Sequence, residues 1–90
     1  MIKSIRHKGL KRFFAGGDGS GLPVPNHDRV RRQLAVLHGA SKPSDLDLPG
    51  YRYHPLKGVK RHAIWVSGNY RITYGWHDND AIDVDIEDYH

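Results

Sequence analysis

The hydrophobic pattern of this chain changes period once, at Tyr51, and that change limits the fold more than any other feature. Before it, apolar residues recur at helical spacing: Leu10, Phe13 and Phe14 in one stretch, Val30, Leu34 and Leu37 in a second. After it they alternate. Tyr70, Ile72, Tyr74 and Trp76 interleave with Arg71, Thr73, Gly75 and His77; Ile82, Val84 and Ile86 interleave with Asp83, Asp85 and Glu87. Helices followed by a run of strands indicate an α+β domain, two N-terminal helices packed on one face of a largely antiparallel sheet. Ninety residues suffice for one domain, expected over residues 1–90, with a small core.

The expected order is β-α-α-β-β-β-β. Met1 to Arg6 is β-compatible. A helix over Lys8 to Ala15 ends at the glycine-rich loop Gly16 to Gly21. A second helix starts at Asn26 as N-cap and stops at Gly39; Arg29, Arg31, Arg32 and His38 read as its solvated face. Tyr51 to Leu56 is a short strand. Ala63 to Ser67 and Tyr70 to Trp76 make a hairpin across Gly68 and Asn69, both expected to take positive φ. Asp78 to Asp80 turns the chain into the last strand, with Ile82, Val84 and Ile86 on its buried face.

Composition narrows the function classes. The chain has no cysteine, which excludes a disulfide scaffold, a thiolate zinc site and a cysteine nucleophile. No apolar run exceeds four residues, too short for a membrane span or a secretory h-region, so a soluble cytoplasmic protein is expected. Seven histidines, at 7, 27, 38, 54, 62, 77 and 90, lack the close spacing of a structural zinc site. The final acids read as the wet face of a strand, and neither metal nor cofactor is expected. Residues 1–77 carry all fourteen Lys and Arg against four aspartates; residues 78–90 carry six acids and no base. The basic part suits a polyanion partner, although many small basic domains bind nothing specific.

Two segments stand out chemically. Tyr51-Arg52-Tyr53-His54-Pro55-Leu56-Lys57-Gly58 puts a histidine and a lysine at the end of a strand and into a glycine turn. Glu87-Asp88-Tyr89-His90 is a titratable tail after a strongly patterned strand. With Gly68-Asn69-Tyr70-Arg71-Ile72-Thr73-Tyr74 between them, and Met1 to Leu10 ahead, these segments resemble the HigB branch of the RelE/ParE toxins, in order and over nearly the whole chain. The resemblance implies a RelE-like compact domain that enters the ribosomal (30S) A site and cuts messenger RNA being translated. It also implies a HigA-type helix-turn-helix antitoxin that neutralises the toxin, and operator DNA bound only through the antitoxin complex.

The matching residues are His54, Lys57, Arg71, Asp88, Tyr89 and His90. Metal-free RNA cleavage needs a base for the 2′-OH, cations for the phosphorane, an acid for the leaving 5′ oxygen and a group that holds the nucleobase for in-line attack. His54 and Asp88 are the candidate bases; Lys57 and Arg71 stabilise phosphate charge. His90 is the candidate acid, its imidazolium favoured by its own carboxylate and Asp88. Tyr89 can stack on a base. Arg52, Lys60 and Arg61 are expected to contact RNA. The segment Val59 to His62 is about two residues shorter than the family pattern leads one to expect, which bears on the rim of the site. Two other readings stay open: a ParE-like gyrase poison without enzymatic activity, and an inactive RNA- or ribosome-binding module.

Overall fold

His7 and Asn26 start the two helices. His7 Nδ1 accepts the Leu10 N–H at 3.1 Å to open α1 (Lys8–Gly16), and Asn26 Oδ1 accepts the Arg29 N–H at 3.1 Å to open α2 (His27–Gly39). The computed structural model of the protein describes residues 1–88. α1 closes at Gly17, whose φ of 83° lets its N–H return to the Phe13 carbonyl. Gly9 lies backbone to backbone on the following loop: a Cβ there would come within 2.2 Å of the Gly21 carbonyl oxygen.

Beyond a 3-10 turn (Pro43–Leu46), four strands follow: β1 (His54–Pro55), β2 (His62–Ser67), β3 (Tyr70–His77) and β4 (Asp80–Asp88). They pair antiparallel in chain order. The first expected strand is realised as two isolated parallel bridges to β4, Ile2 with Ala81 and Ile5 with Val84. The α+β architecture is thus the expected one, with two helices against a four-stranded sheet.

Four local expectations are corrected. The strand over Tyr51 to Leu56 shrinks to His54–Pro55, because Arg52 adopts a left-handed φ of 50° and breaks the extended run. In the hairpin turn only Gly68 takes positive φ, 56°; Asn69 does not. Asp83 also takes φ 50°, which shifts the phase of β4: Ala81 and Val84 are both fully buried, and Ile82 packs over Gly75 instead of joining the core. Phe14 is 39% exposed rather than buried with Leu10 and Phe13.

The core lies between the helices and one face of the sheet. Leu10 and Phe13 from α1 and Val30, Leu34 and Leu37 from α2 meet Ile64, Ile72, Tyr74, Val84 and Ile86. Tyr74 is fully buried, and its hydroxyl donates to the Pro43 carbonyl at 3.0 Å. This ties the sheet to the turn after α2. Among the described residues no helix is long and apolar enough to cross a membrane.

His62 is stacked between Tyr53 and Tyr74, with ring centroids 5.9 and 5.5 Å away, and its Nδ1 lies 2.9 Å from the Tyr53 hydroxyl. Burial, then the charge of Arg61, lowers its pKa below the ordinary 6.5. The unfolded chain therefore takes up a proton near pH 6.5 that the folded chain refuses. The stability from neutral His62 is complete above that pH and is lost as pH falls from 6.5 toward the folded value. The melting temperature of the wild type is expected to drop more steeply than that of His62→Phe between pH 7 and 5. Parallel curves would exclude His62 as the cause.

Candidate active site

Strand register sets the rows of the sheet. Ile64, Ile72 and Ile86 form a core-facing row. Ala63, Thr73 and Asp85 form the row on one side of it, with His54 continuing it on β1; Trp65, Arg71 and Glu87 form the row on the other side. Alternate rows point to opposite faces, so His54, Arg71, Thr73 and Glu87 share the face turned away from the helices. That is why two sequence-distant segments meet there: His54 Nε2 lies 3.5 Å from Arg71 Nη1. The other ring nitrogen, Nδ1, is 3.1 Å from the Arg52 carbonyl.

Lys57 and Lys60 are exposed in the loop between β1 and β2. That loop is tied at its base by the Leu56 N–H donating to the Arg61 carbonyl at 2.9 Å. The segment between them thus forms a narrow connection that carries two exposed lysines. Arg61 folds inward, where its Nη2 donates to Thr73 Oγ1 at 2.9 Å and to the Asp83 carbonyl at 2.8 Å. Burial and Arg6 lower its pKa while Glu87, Asp85 and Asp83 oppose them; arginine stays charged through such a shift. Arg52 is exposed and stacks its guanidinium 4.4 Å from the centre of the Trp65 ring. Asp88 is exposed and pairs with Tyr70, one pleat beyond the Arg71 and Glu87 pair. Tyr89 and His90 lie outside the described residues.

Glu87, Thr73 and Arg61 form a network on this face that the sequence reading did not single out. Thr73 is fully buried; its hydroxyl donates to Glu87 Oε2 and accepts from Arg61. The available signal was parity: Glu87 stands opposite Arg71, whereas Asp88 does not. Arg29 is a second surprise. It was expected on a solvated face, yet its Nη2 donates to the Gly50 carbonyl at 2.7 Å and its guanidinium lies 5.2 Å from the Trp65 ring centre.

Two recesses of the surface lie elsewhere. One of about 300 Å³ is lined by Phe13, Phe14, Gly17, Arg31, Leu34 and Ala35, and another of about 320 Å³ by the N-terminal segment and α1. Neither contains His54, Lys57 or Arg71. The sheet face that carries His54, Arg71, Thr73 and Glu87 is polar.

Residues 3–90 match the family described as the RelE-like toxin of type II toxin-antitoxin system HigB. The chain is also 41% identical, over the whole length of both proteins, to a protein from Proteus vulgaris named Endoribonuclease HigB. A type II toxin has an antitoxin as its partner. The match spans the helices, the sheet and the His54 and Arg71 face together, and the chain belongs to the HigB-like family of RelE-like toxins of type II toxin-antitoxin systems.

Proposed function

We propose that this toxin is an endoribonuclease that cuts messenger RNA in the ribosomal A site by metal-free attack of a ribose 2′-OH on the adjacent phosphate. A HigA-type helix-turn-helix antitoxin neutralises it and carries it to operator DNA. Its working compartment is then the cytoplasm, where messages are translated. The observation that carries the reading is the approach of His54 Nε2 to Arg71 Nη1 on the polar sheet face, 3.5 Å apart. A proton acceptor beside a fixed cation is what 2′-OH activation at a phosphate requires. The name of the Proteus vulgaris relative supports the same chemistry.

In this mechanism His54 takes the 2′-OH proton, with Asp88 as the other candidate base. The 2′ oxygen then attacks phosphorus. Arg71 and Lys57 balance the charge that grows on the non-bridging oxygens; the planar guanidinium can grip two of them. His90 protonates the departing 5′ oxygen, and Tyr89 stacks on the nucleobase. The products are a 2′,3′-cyclic phosphate and a 5′-hydroxyl end. Lys60 and Arg61 line the approach of the RNA backbone, Arg61 with two of its bonds already committed to the sheet.

Primer extension on a defined message, with and without translating ribosomes, tests the reading. New 5′ ends are expected only when the toxin and a translating ribosome are both present. Arrest of translation without a cut would leave a ribosome binder. Intact messages with DNA damage dependent on gyrase would replace the reading with the ParE-like one.

A further inference from the structure

We infer that Arg52 serves this site through its backbone: it is a positioning residue whose carbonyl selects the tautomer of His54. The inference deepens the reading of His54 as the base and rests on it. Three observations carry it.

The first is chemical. A carbonyl oxygen only accepts hydrogen bonds, so with the Arg52 carbonyl 3.1 Å from His54 Nδ1 the proton of the neutral ring belongs on Nδ1. A guanidinium only donates, so Arg71 at 3.5 Å from Nε2 requires a lone pair there. Both neighbours choose the same tautomer, with Nε2 bare beside the cation that would hold the phosphate. That is the minor form of free neutral histidine, so the protein must impose it.

The second is conformational. Arg52, whose carbonyl meets the ring two residues further on, has a φ of 50°, a left-handed conformation that is costly for a residue with a side chain. Such a residue persists only where its surroundings over-determine it.

The third is the set of surroundings. On the N-terminal side, the Tyr51 carbonyl accepts the Trp65 N–H at 2.7 Å, and the Gly50 carbonyl accepts Arg29 Nη2 at 2.7 Å. Gln33 from α2 donates to the Trp65 carbonyl at 2.8 Å, fixing the strand on which the segment leans. On the C-terminal side, His54 pairs with Ala63 in β2. The Arg52 side chain itself stacks on Trp65 at 4.4 Å, and Arg29 approaches the same ring at 5.2 Å. The segment is pinned on both flanks, and its strain is spent where His54 needs its orientation.

Arg52 is exposed, so a direct contact with RNA is the competing role, and two substitutions separate them. Arg52→Gly removes the charge but accepts a left-handed φ without strain. Arg52→Val removes the charge and opposes that φ. The readouts are the ¹⁵N ring shifts of His54 at pH 8 and kcat and KM for ribosome-dependent cleavage. Arg52→Gly is expected to keep the Nδ1–H tautomer and a kcat within about threefold of the wild type. Arg52→Val is expected to lose that tautomer and at least about tenfold in kcat at unchanged KM. An Nε2–H tautomer in the wild type would overturn the inference. So would equal rises in KM for both variants, with a weakened salt dependence, because the charge alone would then matter. Should the valine variant not fold, Arg52→Ala against Arg52→Gly makes the same comparison. A wild type that shows the Nδ1–H tautomer but cleaves no message would support the positioning and sink the endonuclease reading instead.

Discussion

His54→Ala is expected to lower the rate of message cleavage by about 10²–10⁴-fold, the range that a positioned acid or base contributes. The melting temperature should hardly change. His54 is half-buried at the end of a two-residue strand, and its ring contacts are the Arg52 carbonyl and Arg71 Nη1. Removing them leaves the core rows of Ile64, Ile72 and Ile86 intact. Arg71→Lys makes the companion test. Lysine keeps the charge but loses the planar fork that faces His54 and can take two phosphate oxygens. A drop in kcat for that variant at preserved stability would place geometry, not charge alone, in the reaction. Full cleavage by both variants, measured as new 5′ ends during translation, would remove His54 and Arg71 from the chemistry and leave this face as a docking surface.

The features legible in the sequence are those set by neighbours a few residues away. The stripe of Val30, Leu34 and Leu37 and the Asn26 cap are local matters of helix period and one side-chain bond, and both are present. So is the hairpin between Ser67 and Tyr70, which needs one permissive residue, Gly68. His54 and Arg71 were named from the family's motif, and the register that brings them together follows from antiparallel pairing of β1, β2 and β3. What escaped the sequence depends on distant groups. Thr73 looks like a solvent-facing position by alternation. It is fully buried because Arg61 swings in from the loop and Glu87 reaches across from β4. Arg29 looks like a surface charge, but the carbonyls and rings that engage it lie on Gly50, Tyr51 and Trp65. Asp83 was read as one wet position among several. Aspartate tolerates the left-handed region better than most residues, and its φ of 50° moves Ala81 into the core and Ile82 out of it.

Tyr74→Ala is expected to destabilise the fold by about 3–5 kcal/mol, the cost of removing a large aromatic from a packed interior. The residue has no exposed surface. Its ring stacks on His62 at 5.5 Å and meets Trp76 edge-on at 6.4 Å, so truncation strips packing from two other aromatics. Burial also raises the pKa of its hydroxyl far above the usual tyrosine range, which keeps the group neutral and donating to the Pro43 carbonyl. Tyr74→Phe isolates that one bond. It should cost about 1 kcal/mol, or roughly 4–8 °C in melting temperature for a domain of this size. The alanine variant should lose at least about 12 °C by the same scaling, a large share of the 5–15 kcal/mol that holds a small domain folded. Thermal melts followed by circular dichroism give both numbers. Equal losses for phenylalanine and alanine would mean that the tie to Pro43, not the ring, is what Tyr74 contributes. The comparison also separates two routes to a harmless toxin. Tyr74→Ala should abolish killing because little folded protein remains, and its residual folded fraction should cleave at the wild-type rate. His54→Ala should accumulate as folded protein that does not cut.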